Sequence, residues 1–254
     1  MAMQKPPISI QLHTVRKEAK KDLLKTLKEV AASGYVGVEM AGLYGKNPAE
    51  MRKMLDDLGL VASSAHVAVP TAENLKETVE TANALGCQMI ISNMEPDKFA
   101  GPDGVRNVAA ELQKSAELVK PHGLRFGYHN HWWEFVLEGG RYKYDLLMEQ
   151  APDIFGELDI YWAANFGAVK VPEVIKKYGS RMPLLHIKDG PLVKDQPHTA
   201  VGAGKMDVTG CIRAADPKLQ WLVVELDSCA TDMMTAARES CAWLTKQGLG
   251  RGTR

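Results

Sequence analysis

Two textures alternate along the chain. Short runs rich in apolar and β-branched residues are each followed by a longer stretch in which apolar residues recur every three or four positions, the signatures of a buried strand and an amphipathic helix. PISIQLHTV is strand-like, and DLLKTLKEVAAS after it places Leu23, Leu24, Leu27, Val30 and Ala31 on one predicted helical face, with Gly34 as the stop. VGVEMAG precedes NPAEMRKMLDDLG, where Asn47 is a good N-cap and Pro48 suits the first helical position. VASSAHV leads to NLKETVETANALG, QMIISNM to a helix within 104–122, and RFGYHNHW to a shorter helix near 144–151. GELDIYWA leads to VPEVIKKYG, PLLHIKDG through a long loop to a helix starting near Asp207, and QWLVVELDS to a last helix over 231–247.

Strands separated by helices imply parallel pairing through right-handed crossovers. Eight such units in 254 residues match the size of an α/β (β/α)8 TIM barrel. An open doubly wound sheet would want a glycine-rich phosphate turn after its first strand, and IQLHTVRKEA contains no glycine. No linker or low-complexity segment interrupts the pattern, so a single domain over 1–254 is expected.

Composition narrows the partners. A formal net charge of zero argues against a broad basic surface for nucleic acid. No apolar run reaches the ~18 residues of a membrane helix, and the start, MAMQKPPISI, has no apolar signal core, so a cytoplasmic location is expected. Cys87, Cys211, Cys229 and Cys241 form no CxxC pair and read as reduced packing residues. The expected partner is a small molecule, with homo-oligomerisation left open.

In a barrel of this kind the active site lies at the C-terminal strand ends. Those ends carry Gln11 and His13, Glu39, His66, Asn93, His129 and His131, Asp159, His186 and Lys188, and Glu225 and Asp227. Strand alternation puts His129 with His131, His186 with Lys188, and Glu225 with Asp227 on shared faces. Each residue alone has a plainer reading. A single strand-end histidine is more often a hydrogen-bonded structural residue, Asp159 suits a helix cap, and Trp132 and Trp133 suit a barrel rim. Convergence changes the balance, because burying several charges without partners costs several kcal/mol each. A divalent metal is the simplest common partner, and mixed N/O donors suit Mn, Zn or Co better than Mg or Ca.

The stretches IQLHTVR, GYHNHWWEF, LDIYWA, LLHIKDG, VGAGKMD and VVELDS carry a resemblance over nearly the whole chain to the sugar phosphate isomerase/epimerase group of xylose isomerase-like barrels. Related epimerases hold one divalent metal with Glu, Asp, His and Glu from strands 5 to 8. The resemblance implies Asp159, His186 and Glu225 as three ligands, with His129 standing where the strand 5 glutamate would be. It implies Glu225, His131, Glu39 and Lys188 as catalytic groups, His66 and Glu225 among the candidate bases, and substrate contacts from His66, Trp132, Trp133, Gln11, Asn93 and Trp162. Glu134 is a candidate replacement for the missing glutamate, with a structural role as the alternative. Tyr128 and Asn130 point to the other face and suit packing or support of ligands.

The implied activity is metal-dependent isomerisation or epimerisation of a sugar through a metal-stabilised enediolate. The alternative is elimination from a keto-sugar, 3-keto-glycoside or inosose. An endonuclease-type barrel with three metals and a non-catalytic sugar binder are the remaining classes. The glycines and Lys205 of VGAGKMD suit either a phosphate site or a turn leading into the helix at Asp207.

Overall fold

A computed structural model describes residues 5–253. Eight parallel strands close into a barrel. They are β1 (Ile8–Gln11), β2 (Gly37–Met40), β3 (Val61–His66), β4 (Met89–Ser92), β5 (Arg125–His129), β6 (Phe155–Asp159), β7 (Leu184–Ile187) and β8 (Trp221–Val224). Each neighbours the next in sequence, and β8 pairs with β1 to close the ring. The register sets chemistry side by side: Gln11 is level with Glu39, His129 with Glu157, and Asp159 with His186.

The barrel separates two environments. Outward residues such as Ile8, Ile10, Val38, Phe126, Leu158, Leu185 and Val224 are buried under the surrounding helices in one continuous apolar layer. Inside, Met89, Ile91, Phe155 and Leu184 form a separate apolar floor with Trp221 packed against it. Gly127 in β5 belongs to this floor's geometry: a Cβ there would lie 2.2 Å from the Phe155 ring, so only glycine leaves the ring its place. Toward the C-terminal ends the interior turns polar, with Ser9, Gln11, Glu39, Ser64, Glu157, Asp159, His186 and Lys188 all buried.

Capping sets the helix starts. The Asp22 side chain accepts from Lys25 N to begin Leu23–Ala32, and Asn47 with Glu50 forms a capping box at Pro48–Asp57. Leu23, Leu27 and Val30 of the first of these helices are buried, but Leu24 is 45% exposed, contrary to the expected face. One position further on, a side chain turns by about 100° and leaves the narrow stripe that faces the barrel. The run IYWA, grouped with a strand in the sequence, forms a short helix, Ile160–Ala163. A helix at Arg16–Lys21 and a two-stranded hairpin, Leu137–Glu138 with Arg141–Tyr142, have no counterpart in the expected pattern. No helix among the described residues is long and apolar enough to cross a membrane.

Candidate active site

The polar interior has two layers joined by His186. In the lower layer Glu39 is the acceptor for three strands. Its Oε1 receives Gln11 Nε2 and His186 Nε2, each at 2.8 Å, and its Oε2 receives Ser64 Oγ at 2.5 Å. Beside it, Glu157 Oε2 lies 2.8 Å from His66 Nε2, 3.1 Å from His186 Nε2 and 3.3 Å from His129 Nδ1. In the upper layer His186 Nδ1 reaches Glu225 Oε2 at 3.0 Å. Lys188 Nζ sits among three carboxylates, 2.8 Å from Glu225 Oε2, 3.0 Å from Asp159 Oδ2 and 2.8 Å from Asp227 Oδ2.

These contacts set the charges. Burial disfavours the His66 cation, yet Glu39 and Glu157 outweigh it and raise its pKa to about 10. His186 is pushed up in the same way against burial, by Glu157 and Glu39. Glu225 is held well below the usual carboxylate range despite burial, chiefly by the Lys188 ammonium. At His129 the balance falls the other way: burial first, and then the neighbouring His186 cation, outweigh Glu225 and hold it well below the usual imidazole range. His131 is lowered to about 4, first by burial and then by Lys188.

Two sets of donors lie close enough to grip one cation. His129, Asp159, His186 and Glu225 offer four atoms within 4.8 Å of one another, and so do His66, His129, Glu157 and His186. The first is the set expected from the sequence. His129 and His186 belong to both sets. The nitrogens of His186 face opposite layers, Nδ1 toward Glu225 and Nε2 toward Glu39 and Glu157. A divalent metal fits this donor chemistry once it displaces the proton that Glu157 and Glu39 hold on His186. Asp159 Oδ2 and Glu157 Oε1 are buried without a hydrogen bond, one orphaned carboxylate oxygen in each set. Asp159 Oδ2 has Lys188 within ionic contact but no aligned donor. Lys188 thus competes with any metal for Asp159 and Glu225.

Asp159 does two jobs. Its Oδ1 caps Ile160–Ala163 by accepting from Trp162 N at 2.9 Å, the cap role, while Oδ2 faces the site. Asn130 supports it from β5's far face. Glu134 does not join the cluster. It is fully buried, accepts from Tyr128 Oη at 2.5 Å and from His131 N at 2.9 Å, and is therefore not placed as a substitute for the strand 5 carboxylate. The carboxylate under His129 is instead Glu157, one strand over. Glu157 lies in the middle of β6 and not at its end, and alternation with Asp159 points it into the barrel.

Of the other expected residues, Gln11 and His66 are in the lower layer. Trp133 stacks on His131 with ring centres 4.3 Å apart. Trp132 and Trp162 stand at the mouth, and Lys188 Nζ lies 5.2 Å from the Trp162 ring centre. Asn93 is exposed one residue past β4, outside the linked cluster, and its expected substrate contact has no support from its position. His198, carried by the long loop after β7, was not anticipated. It lies beside Trp162 and accepts from Asp227 N at its Nδ1. The phosphate reading of VGAGKMD is displaced. The Asp189 carboxylate accepts from the backbone N–H groups of Gly202, Gly204 and Met206, so the loop's amides already hold an anion. A Cβ at Gly204 would fall 2.1 Å from Asp189 Oδ1.

A family model described as the xylose isomerase-like TIM barrel matches residues 27–247. The chain belongs to this family. A solved sugar phosphate isomerase/epimerase from Parabacteroides distasonis ATCC 8503 superposes with a TM-score of 0.76 at 24% identity, over 98% of this chain and 97% of that one. The IolI protein, solved with a zinc atom bound, gives a TM-score of 0.71 at 12% identity, over 96% of this chain and 98% of that one. An inosose dehydratase from Geobacillus kaustophilus (strain HTA426) is 24% identical over 190 residues, which are 65% of this chain and 61% of that protein. The match therefore spans about three-fifths of that relative's length.

Proposed function

We propose that the protein is a divalent-metal-dependent sugar isomerase or epimerase that removes a proton next to a carbonyl. The observation that carries this reading is the convergence of one donor atom each from His129, Asp159, His186 and Glu225 within 4.8 Å, with Asp159 Oδ2 accepting no hydrogen bond although Lys188 Nζ lies 3.0 Å away. These four residues would hold the metal, which when bound supplies Lewis acidity toward the sugar's carbonyl oxygen.

The chain's own groups account for the proton chemistry. Glu225, kept ionised by Lys188, is the proton acceptor within the metal-ligand set. The Lys188 ammonium, 2.8 Å from Glu225 Oε2, offsets negative charge as it develops on substrate oxygen. His131 is neutral, and its Nδ1 is buried without a partner, free to exchange a proton or meet a hydroxyl. Glu39 and His66 form an ion pair beneath, at 3.2 Å, which orients the lower nitrogen of His186 more directly than it reaches substrate. Trp132 and Trp162 offer apolar faces to a sugar.

One observation favours elimination as the second reading. The strand 5 ligand position is a neutral imidazole, His129, so the mouth has a single ionised glutamate in place of two bases on opposite faces. A lone base with an adjacent ammonium suits loss of a β-leaving group. Incubation of the Mn-loaded protein with keto-sugars and inososes in D2O separates the readings. Deuterium incorporation with a rearranged sugar supports isomerisation or epimerisation, and an unsaturated or dehydrated product supports elimination. Absence of both from the panel, with metal bound, removes the proposal.

A further inference from the structure

Asp227, just past the end of β8, belongs to neither donor set, yet it is the group that Lys188 grips most directly. Lys188 Nζ is within 3.0 Å of oxygens from Asp159, Glu225 and Asp227. Among the described residues, just the contact to Asp227 Oδ2, at 2.8 Å, is an aligned hydrogen bond. The other two are ionic contacts, which leaves the oxygens of Asp159 and Glu225 open to another cation.

The backbone holds Asp227 in this place. Its N–H donates to His198 Nδ1 at 3.2 Å, and its carbonyl accepts from Arg16 Nη2 at 2.9 Å. One of these partners follows β1 and the other comes from the loop after β7. Between them they hold a carboxylate that is 40% exposed against a lysine that is 1% exposed. The side chains of Asp159 and Glu225, by contrast, are 0% and 6% exposed.

Charge balance gives the arrangement its consequence. A buried ammonium needs a counter-charge whatever else the site holds. Asp159 and Glu225 belong to the upper donor set, and their two charges balance one divalent ion when His129 and His186 are neutral ligands. Asp227 is then the counter-charge left for Lys188. The face of Trp162, 5.2 Å from Nζ, supports the ammonium without neutralising it. We propose that Asp227 is a positioning residue for the metal site: it keeps Lys188 paired when Asp159 and Glu225 give their oxygens to the metal. The competition for those two carboxylates is thereby resolved without expelling the ammonium. This rests on the metal reading of the upper set.

Calorimetric titration of the metal-free full chain with Mn tests this without requiring turnover. Asp227→Asn should weaken Mn binding by about tenfold or more, the range for losing a group that supports a ligand. A general loss of negative charge at the rim is the rival cause. Asp195 is exposed and lines the same rim cavity as Asp227, but it is not among the carboxylates around Lys188. Its φ of 60° is one that asparagine also adopts. Asp195→Asn should therefore leave Mn affinity within about twofold of wild type. In a Lys188→Met background, Asp227→Asn should likewise change Mn affinity by less than about twofold, because the ammonium it serves is gone. Should that background fail to fold, the comparison with Asp195→Asn decides. Unchanged Mn affinity in Asp227→Asn overturns the inference while leaving the metal site standing. So do equal losses in the Asp195 and Asp227 variants, or a loss that persists in the Lys188→Met background. No Mn binding by wild type overturns both.

Discussion

Asn130 grips the backbone of Asp159 from both sides. Its Oδ1 accepts from Asp159 N at 2.9 Å, and its Nδ2 donates to Asp159 O at 3.2 Å. The clamp ties β5 to the end of β6, where the carboxylate turns into the site. Asn130→Ala should therefore lower metal affinity by about 10- to 100-fold, the usual effect of losing a group that orients a ligand. A melting temperature that falls while metal affinity is unchanged would make the clamp purely structural.

The two overlapping donor sets make different demands. If a metal takes the upper set, Asp159→Ala should abolish most Mn, Co or Zn uptake, measured by elemental analysis after dialysis, while Glu157→Gln should leave most of it. The opposite order would place the ion in the lower set with His66. Failure of wild-type protein to take up any of the three metals at micromolar levels would refute a metal site altogether.

Lys188 is a buried cation among three carboxylates. Lys188→Met should destabilise the metal-free protein by ~3–5 kcal/mol, because carboxylates remain buried without their counter-charge. The same variant should gain more stability from added metal than wild type does, since the competing cation is gone. Thermal melts with and without Mn read both effects. No difference in metal-dependent stabilisation would show that Lys188 and the metal do not share Asp159 and Glu225.

His131→Ala should keep the metal and lower turnover by ~10²–10⁴-fold, the range for a lost general acid or base. His129→Ala should lower metal affinity instead. Metal loss in the His131 variant with retention in the His129 variant would reverse these assignments.

Glu134 predicts a pH dependence of stability away from the chemistry. Burial raises its pKa from 4.5 to about 8, although Tyr128 and His131 donate to it. Between those values the folded protein binds a proton that the unfolded chain releases, so this group makes stability fall as pH rises from about 4.5 to 8. Denaturant titrations at intervals over that range should show Glu134→Gln losing less stability with rising pH than wild type, by an amount on the order of a few kcal/mol. Parallel pH profiles for the two proteins would show that the carboxyl titrates in its ordinary range.

The alternation of strand and helix patterns was enough to identify the closed barrel, because both periodicities are local and the crossover rule leaves few topologies. The strand-end residues were legible for the same reason. His129, Asp159, His186 and Glu225 fall at C-terminal ends, and alternation turns them inward. The side chain of Asp159 shows the limit of that reading, since one residue serves as cap and site group together and a sequence offers those roles as alternatives.

Three features required the tertiary structure. His66 and Glu157 are 91 residues apart, and just the closing of the ring makes their contact and the charge of His66. His198 comes from a long loop whose path no periodicity encodes. The VGAGKMD loop has the glycines of an anion site, but whether its amides are free depended on the Asp189 carboxylate, which folds back into it. Local propensity therefore specified which residues lie on which element and face. Long-range packing decided which charges meet, and in a buried site those meetings set protonation and hence chemistry.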